Sequence, residues 1–362
     1  MPSAQTTGGS EEALRQLLVG KSEYGFTYDV VFLENGPLIA WAEGQQVSSK
    51  LIDAGRLRQP LRWRRSVREI RQHVEGRKSD FVLGWILKAH LYGGLAAWFA
   101  GIPCGWFQLG SPQPGLLDYL ASKIPSRVTF TCSDYVAQLQ QAAVPKTVVK
   151  SIPLGVDTKR FGSAANLSRS ECRKIVGLPD GVPIVGTVGR LQHWKGMHLL
   201  IDAMPDVLKE FPQSKCVIVG GPFASEPGYE GELRDQVKRL DLGEHVIFAG
   251  ERHDIPLWVR AFDLFVHASQ NEPFGIVVIE ALAAGTPVVS FAPSGVASIL
   301  RTLPACTVLE SRDAKSLAGA IATSFRSPRG DQGDLVAMAN RYGDREFKNR
   351  MERAILDVIH GS

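Results

Sequence analysis

Two carboxylates and two cations are the residues in this chain whose spacing could do chemistry. Residues 271–289 read N-E-P-F-G-I-V-V-I-E-A-L-A-A-G-T-P-V-V, with Glu272 and Glu280 eight positions apart. If Pro273 and Phe274 open a helix and Gly285 closes it, Glu272 stands in the loop ahead of the N-terminus and Glu280 lies about two turns inside. At ~3.6 residues per turn both fall on roughly the same side. The amides of Gly275, Ile276 and Val277 would then point out of the positive end, where a phosphate is favoured by roughly 0.3 to 2 kcal/mol. Carboxylates beside an anion site suit recognition of hydroxyls on a phosphorylated sugar. The plainer alternative is a capping acid and a solvent-facing glutamate. Glu280 argues against it, because it is set among Ile276, Val277, Val278, Ile279, Ala281 and Leu282, and a charge in apolar surroundings needs a partner.

The cations come from an earlier stretch. Residues 186–196 read G-T-V-G-R-L-Q-H-W-K-G: a strand ending at Val188, then a loop carrying Arg190 and Lys195, then Gly196 at the start of a helix. Ligands gather at the C-terminal edge of parallel strands in doubly wound sheets. Two cations there could neutralise charge that grows on a departing phosphate. Exposed loop cations are also commonplace, so this loop gains its meaning from the two-glutamate stretch.

The elements that position these groups alternate along the chain, short β-branched or aromatic runs with helical stretches, as in parallel sheets covered by helices. In the first half, strands are expected at 28–33, 47–52, 80–85, 103–109, 127–132 and 147–152, and helices at 11–19, 61–74, 88–100, 115–122 and 134–142. This half reads as one Rossmann-like domain. A linker, P-L-G-V-D-T-K-R-F at 153–161, marks the boundary. Strands then resume at 184–188, 215–219, 245–249, 264–268, 287–291 and 305–309, a second Rossmann-like domain. Near the start, Thr7, Gly8, Gly9 and Ser10 turn into a helix and could let backbone approach a pyrophosphate. Residues 1–6 make a poor strand ahead of that loop, and a flexible tail is the alternative.

With 362 residues, 44% hydrophobic and 22% charged, the chain fits two soluble domains, each with its own core. A net charge of +4 permits an anionic substrate or surface without implying nucleic acid. Cys104, Cys132, Cys172, Cys216 and Cys306 are odd in number and never spaced Cys-x-x-Cys, so buried thiols in a reducing compartment are expected rather than disulfides or zinc ligands. The sequence shows neither a long uninterrupted apolar run nor a signal-peptide pattern, and a cytoplasmic location is expected. Residues 56–78 carry Arg56, Arg58, Arg62, Arg64, Arg65, Arg68, Arg71 and Arg77. As a helix from Leu61, the stretch puts Leu61, Val67, Ile70 and Val74 near one face and arginines elsewhere. That is either a solvated face or a peripheral contact with the inner face of a membrane, where each basic residue contributes ~1 kcal/mol near anionic lipid. Aromatics that could stack bases are nearly absent from this stretch, so nucleic acid is not expected.

Taken together, G-R-L-Q-H-W-K-G and N-E-P-F-G-I-V-V-I-E-A-L-A-A-G-T-P-V-V resemble the retaining glycosyltransferases of family four, which have the α/β GT-B fold, two Rossmann-like domains with parallel sheets facing across a cleft, and a Glu-x7-Glu signature. Gly8-Gly9, P-L-G-V-D-T-K-R-F, V-I-V-G-G-P at 217–222 and Y-G-D-R-E-F-K-N-R at 342–350 extend the likeness. It implies an acceptor-side domain at 1–154, a nucleotide-sugar domain at 155–342 and a C-terminal helix at 343–362 that returns to the first domain. It further implies that Arg190 and Lys195 hold the donor's diphosphate, that Glu272 and the amides of Phe274, Gly275, Ile276 and Val277 bind the sugar and distal phosphate, and that Glu280 binds the ribose. Gly8 and Gly9 would assist with the donor and Arg252 with the base. The donor is a nucleoside-diphosphate sugar, UDP ahead of GDP, and the acceptor is a hydroxyl of a glycan, a lipid-linked or a small molecule, as in polysaccharide biosynthesis. No metal or other cofactor is implied.

Two features depart from the family. A strand usually precedes the glycine loop, and relatives often read Gln-His-Gly where this chain has Gln108, Leu109 and Gly110. These departures keep a second expectation open, a donor-binding protein of weak catalysis. His90 is the nearest histidine in sequence, separated from Leu109 by a helix.

Overall fold

Short runs rich in Val, Ile and Phe bounded by polar or glycine-rich segments form the parallel strands, and every strand expected from the sequence is present, with ends that match or differ by up to two residues. The structure is a computed structural model that describes residues 8–55, 57–113, 115–144, 147–327 and 332–361. Residues 1–6, Thr7 of the glycine loop and Arg56 lie outside the described residues. The chain divides into two units, Met1–Gly155 with Asp344–Ser362, and Val156–Gly343.

In the first unit, β1 (Asp29–Phe32) pairs in parallel with β2 (Ser48–Leu51). β3 (Val82–Trp85), β4 (Cys104–Gln108), β5 (Val128–Thr131) and β6 (Val149–Ser151) form a separate four-stranded parallel sheet in sequence order. The strands of the one Rossmann-like domain expected here thus form two parallel sheets among the described residues. A pocket of about 610 Å³ in this unit is lined by Val30 of β1 and Leu83 of β3, by Leu14 and Leu17 of the first helix and by Ile355 and Ile359 of the last. A helix at Pro37–Gly44 was not expected. Its residues are apolar nearly all round, so no 3.6-residue period marks it.

The helix Pro60–Gly76 buries Val67, Ile70 and Val74 and turns Arg64, Arg65, Arg68 and Arg71 outward. Leu61, expected on the buried face, is 80% exposed, because at that turn Trp63 packs against the core instead. The helix Asp344–His360 belongs to this unit. It is anchored by Glu352, which is fully buried and accepts from the Tyr28 hydroxyl at 2.5 Å and the Ser22 hydroxyl at 2.9 Å. Burial, and then the bond to Glu352, push the Tyr28 hydroxyl pKa well above its ordinary value. Lys348 Nζ donates to the Val19 and Gly20 carbonyls.

The second unit is one six-stranded parallel sheet of β7 (Ile184–Val188), β8 (Lys215–Val219), β9 (Val246–Gly250), β10 (Leu264–His267), β11 (Val288–Phe291) and β12 (Thr307–Leu309), in the order β12-β11-β10-β7-β8-β9. Helices Met197–Glu210, Tyr229–Arg239 and Ala314–Arg326 bury Leu200, Met204, Leu233, Leu317 and Ile321 with Val185, Ile218 and Val266 of the sheet. Strand order reverses between β7 and β10, so the loops leaving these strands diverge and open a crevice at their C-terminal ends. All five cysteines are free, and burial pushes the Cys216 thiol up to about 12 and Cys306 up to about 11. Among the described residues no helix is long and apolar enough to cross a membrane.

Candidate functional site at the turning point of the second sheet

The loop after β7 is tied across to β8 by Gly189 N–H to Val219 O at 2.9 Å and Leu191 N–H to Gly221 O at 3.0 Å. Arg190 is exposed, with its guanidinium 4.5 Å above the Phe223 ring, a cation–π seat that leaves its N–H groups at the surface. His193 is clamped between Glu226 and Glu232, at 2.7 and 2.8 Å from its two ring nitrogens. Hydrogen bonds donated to these carboxylates, Glu226 first, raise the His193 pKa. A short 3-10 turn at His193–Lys195 then ends at Gly196, whose φ is +72°. A Cβ on Gly196 would sit 2.3 Å from the Ala268 carbonyl, so glycine is what lets this loop touch the end of β10. Gln270 N–H donates to the Trp194 carbonyl at 2.8 Å, and the Arg312 guanidinium grips the Ala268 carbonyl at 3.0 and 3.2 Å.

This contact brings Lys195 Nζ to 2.8 Å from Glu272 Oε2. Glu272 lies in the loop after β10, its carbonyl accepting the Gly295 N–H at 2.9 Å. The helix that follows is Ile276–Ala283, shorter than expected. Pro273 and Phe274 precede it rather than open it, because Gly275 takes φ +91°, a conformation outside the right-handed helix. Phe274 is buried, its ring 6.1 Å from Tyr342. The amides of Gly275, Ile276 and Val277 head the helix as expected, and Glu280 is half-buried on it.

Sequence reasoning missed His267. It ends β10, is 3% exposed, and is paired in register with Ser290 of β11. Its Nε2 lies 3.2 Å from Glu272 Oε2 and its Nδ1 3.0 Å from Ser290 Oγ. An ionised carboxylate can only accept, so Nε2 carries the proton toward Glu272 and Nδ1 accepts from Ser290. Burial alone would raise the Glu272 carboxyl. The His267 hydrogen bond and the charge of Lys195 outweigh it and pull the group down to about 2. Glu272 is therefore a carboxylate at every physiological pH.

Arg252 is exposed, with its guanidinium 5.1 Å from the Trp258 ring. Gly8 and Gly9 are in the first unit and do open a helix, Gly9–Leu18, but the Gly8 amide already donates to Glu11 Oε2 at 3.0 Å. Leu109 follows β4, and its carbonyl accepts from Cys132 Sγ. His90 is buried, stacked on Trp106 at 5.1 Å and hydrogen-bonded to the Ser126 hydroxyl at 3.1 Å. Burial lowers its pKa to about 4, and it serves the core of the first unit.

Two units of parallel α/β structure, the second with a cation and a carboxylate paired at the turning point of its sheet, define the GT-B fold. Residues 168–343, within the second unit, match the model of the glycosyl transferases group 1 family. The lipopolysaccharide core biosynthesis mannosyltransferase LpsB of Rhizobium meliloti (strain 1021) is 37% identical over 41% of this chain and 40% of its own length. LpcC of Rhizobium leguminosarum bv. viciae, of the same description, is 31% identical over 51% of each chain. The chain thus spans about half or less of the length of these curated relatives. Among solved structures, Anabaena Alr3699/HepE in complex with UDP superposes with a TM-score of 0.82 at 23% identity, covering 98% of both chains. A glycosyltransferase from Rickettsia africae gives 0.84 at 19% identity, covering 99% of this chain and 97% of its own. These likenesses show the fold.

Proposed function

We propose that the chain transfers a sugar from a nucleoside-diphosphate sugar to a hydroxyl acceptor, with retention at the anomeric carbon and without a metal. The observation that carries this reading is the Lys195–Glu272 pair at the sheet's turning point, a phosphate-binding cation beside a hydroxyl-binding carboxylate. Arg190 and Lys195 bind the diphosphate and stabilise it as it leaves. Glu272 and the amides from Phe274 to Val277 hold the sugar hydroxyls and distal phosphate, Glu280 the ribose and Arg252 the base. In the transfer, the bond from the anomeric carbon to the phosphate oxygen breaks. The acceptor oxygen bonds to the same face of that carbon, and its proton passes to the departing phosphate. Support comes from the sugar transferases among the relatives and from the UDP-glucose bound in the solved structure of HepE. The test is a thermal-shift panel of UDP-, GDP- and ADP-sugars, since a ligand that binds only the folded chain raises Tm. At least one should raise it, and a flat response across the panel would overturn the reading.

Leu109 favours one competing reading, a donor-binding protein of weak catalysis, because His90 is committed to the core and supplies no imidazole there. Tight donor binding without turnover, together with a rate gain in Leu109→His, would support it.

The first unit, in this proposal, rests peripherally on an anionic membrane. Helices Pro60–Gly76 and Leu116–Ser122 both pack on Ile86–Ala100. One shows Arg64, Arg65 and Arg68 to solvent, and the other shows Leu116, 70% exposed, with Tyr119 and Leu120. Binding to anionic vesicles that falls steeply with salt and is lost in the triple variant Arg64→Glu, Arg65→Glu, Arg68→Glu supports this contact. Unchanged binding removes it.

A further inference from the structure

We propose that His267 is a positioning residue for the sugar-binding carboxylate: it keeps Glu272 aimed at the donor sugar when Lys195 turns to the donor's phosphates. The proposal rests on the donor-site reading above and assigns a role to a residue that the reading does not use. Glu272 Oε2 accepts from two groups, Lys195 Nζ at 2.8 Å and His267 Nε2 at 3.2 Å. The two differ in how firmly they are held. Lys195 sits on a loop at the end of a flexible four-carbon stem, half-buried, with three N–H groups to share. A diphosphate offers it more negative charge than one carboxylate does, so a bound donor draws the ammonium toward the phosphates.

Glu272 would then lose its main compensating charge while remaining 8% exposed, a costly position for a carboxylate. His267 cannot follow. It is 3% exposed at the end of a central strand, and its far nitrogen is fixed by Ser290 on the neighbouring strand at 3.0 Å. The carboxylate can only accept, so the Nε2 proton faces it, and the Ser290 bond fixes the plane of the ring. The line Ser290, His267, Glu272 therefore holds Oε2 from behind and leaves Oε1 to accept a sugar hydroxyl. A histidine that merely filled the core would not discriminate between ligands with and without the sugar.

That difference supplies the test. Calorimetry would measure affinity for the nucleotide sugar selected by the panel and for its nucleoside diphosphate, in the full chain and in His267→Ala, His267→Gln and Ser290→Ala. His267→Ala should weaken nucleotide-sugar binding by about tenfold or more, as expected for losing a hydrogen bond to a charged group, with nucleoside diphosphate affinity kept within about twofold. His267→Gln, whose amide nitrogen can reach the same carboxylate oxygen, should restore most of the loss. Ser290→Ala, which preserves the packing, should show the same sugar-dependent pattern at about threefold, and carries the test alone if His267→Ala does not fold. Equal losses for both ligands, or unchanged affinity for both, would overturn the proposal. If the unaltered chain binds nucleoside diphosphate and nucleotide sugar no better than buffer, the donor-site reading itself fails and this proposal falls with it.

Discussion

Lys195 and Glu272 meet across 77 residues of sequence, Nζ 2.8 Å from Oε2, because the loop after β7 touches the end of β10. Each group neutralises the other, and in the proposed function each has a separate task on the donor. Lys195→Ala and Glu272→Ala should therefore each cut sugar transfer by about 100-fold or more, since both act on charge or position in the transition state. Steady-state rates with a donor and acceptor check this, and near-normal rates in both variants would contradict it.

Acid should weaken the second unit through Glu272. Its folded carboxyl is pulled from 4.5 to about 2, so the unfolded chain binds the proton more readily. The stabilisation is complete above about 4.5 and is lost as pH falls toward about 2, a contribution of roughly 3 kcal/mol. Urea midpoints across that range should fall for the unaltered chain and fall less steeply for Glu272→Gln. His193 has the opposite sign. Its raised pKa makes the loop clamp strongest below the unfolded histidine value, and the clamp weakens as pH rises through the folded one.

Glycine at position 196 is a geometric requirement. Any Cβ there adopts φ +72° and meets the Ala268 carbonyl at 2.3 Å. Gly196→Ala should cost about 2 kcal/mol or more and should separate Lys195 from Glu272, lowering transfer beyond what the lost stability explains. Denaturant titration with rate measurement on the folded variant separates the two effects.

Stability of the first unit should hang on Glu352. Removing it takes the fully buried acceptor from the half-buried Tyr28 and Ser22 hydroxyls. Glu352→Ala should lower stability by about 3 kcal/mol, and Tyr28→Phe should lower it less. Calorimetric melting checks the order, and a Glu352→Ala Tm equal to that of the unaltered chain would contradict it.

Much of this arrangement is legible in the sequence because parallel strands announce themselves as short β-branched runs. The strand at 264–268 and the loops at 190–195 and 271–275 are all marked in the sequence itself. Helix ends were harder to place. Pro273 looks like a helix opener, but the left-handed turn at Gly275 postpones the first helical residue, and no composition rule signals that. His267 was hidden for a different reason: a lone histidine in an apolar strand has no local motif, and its partners come from register with Ser290 and from a loop that folds back. Its five-residue spacing from Glu272 was the one available hint. The division of the first unit into two sheets depends on which strands pair, which strand patterns leave open.

The most direct measurement of the central claim is nucleoside diphosphate release. The chain would be incubated with UDP-, GDP- and ADP-sugars and a panel of hydroxyl acceptors, beside Glu272→Ala under the same conditions. Release with at least one donor, coupled to a glycosylated product and reduced about 100-fold in Glu272→Ala, is the predicted result. Absence of release and of product across every donor and acceptor, or equal release by both proteins, would contradict it.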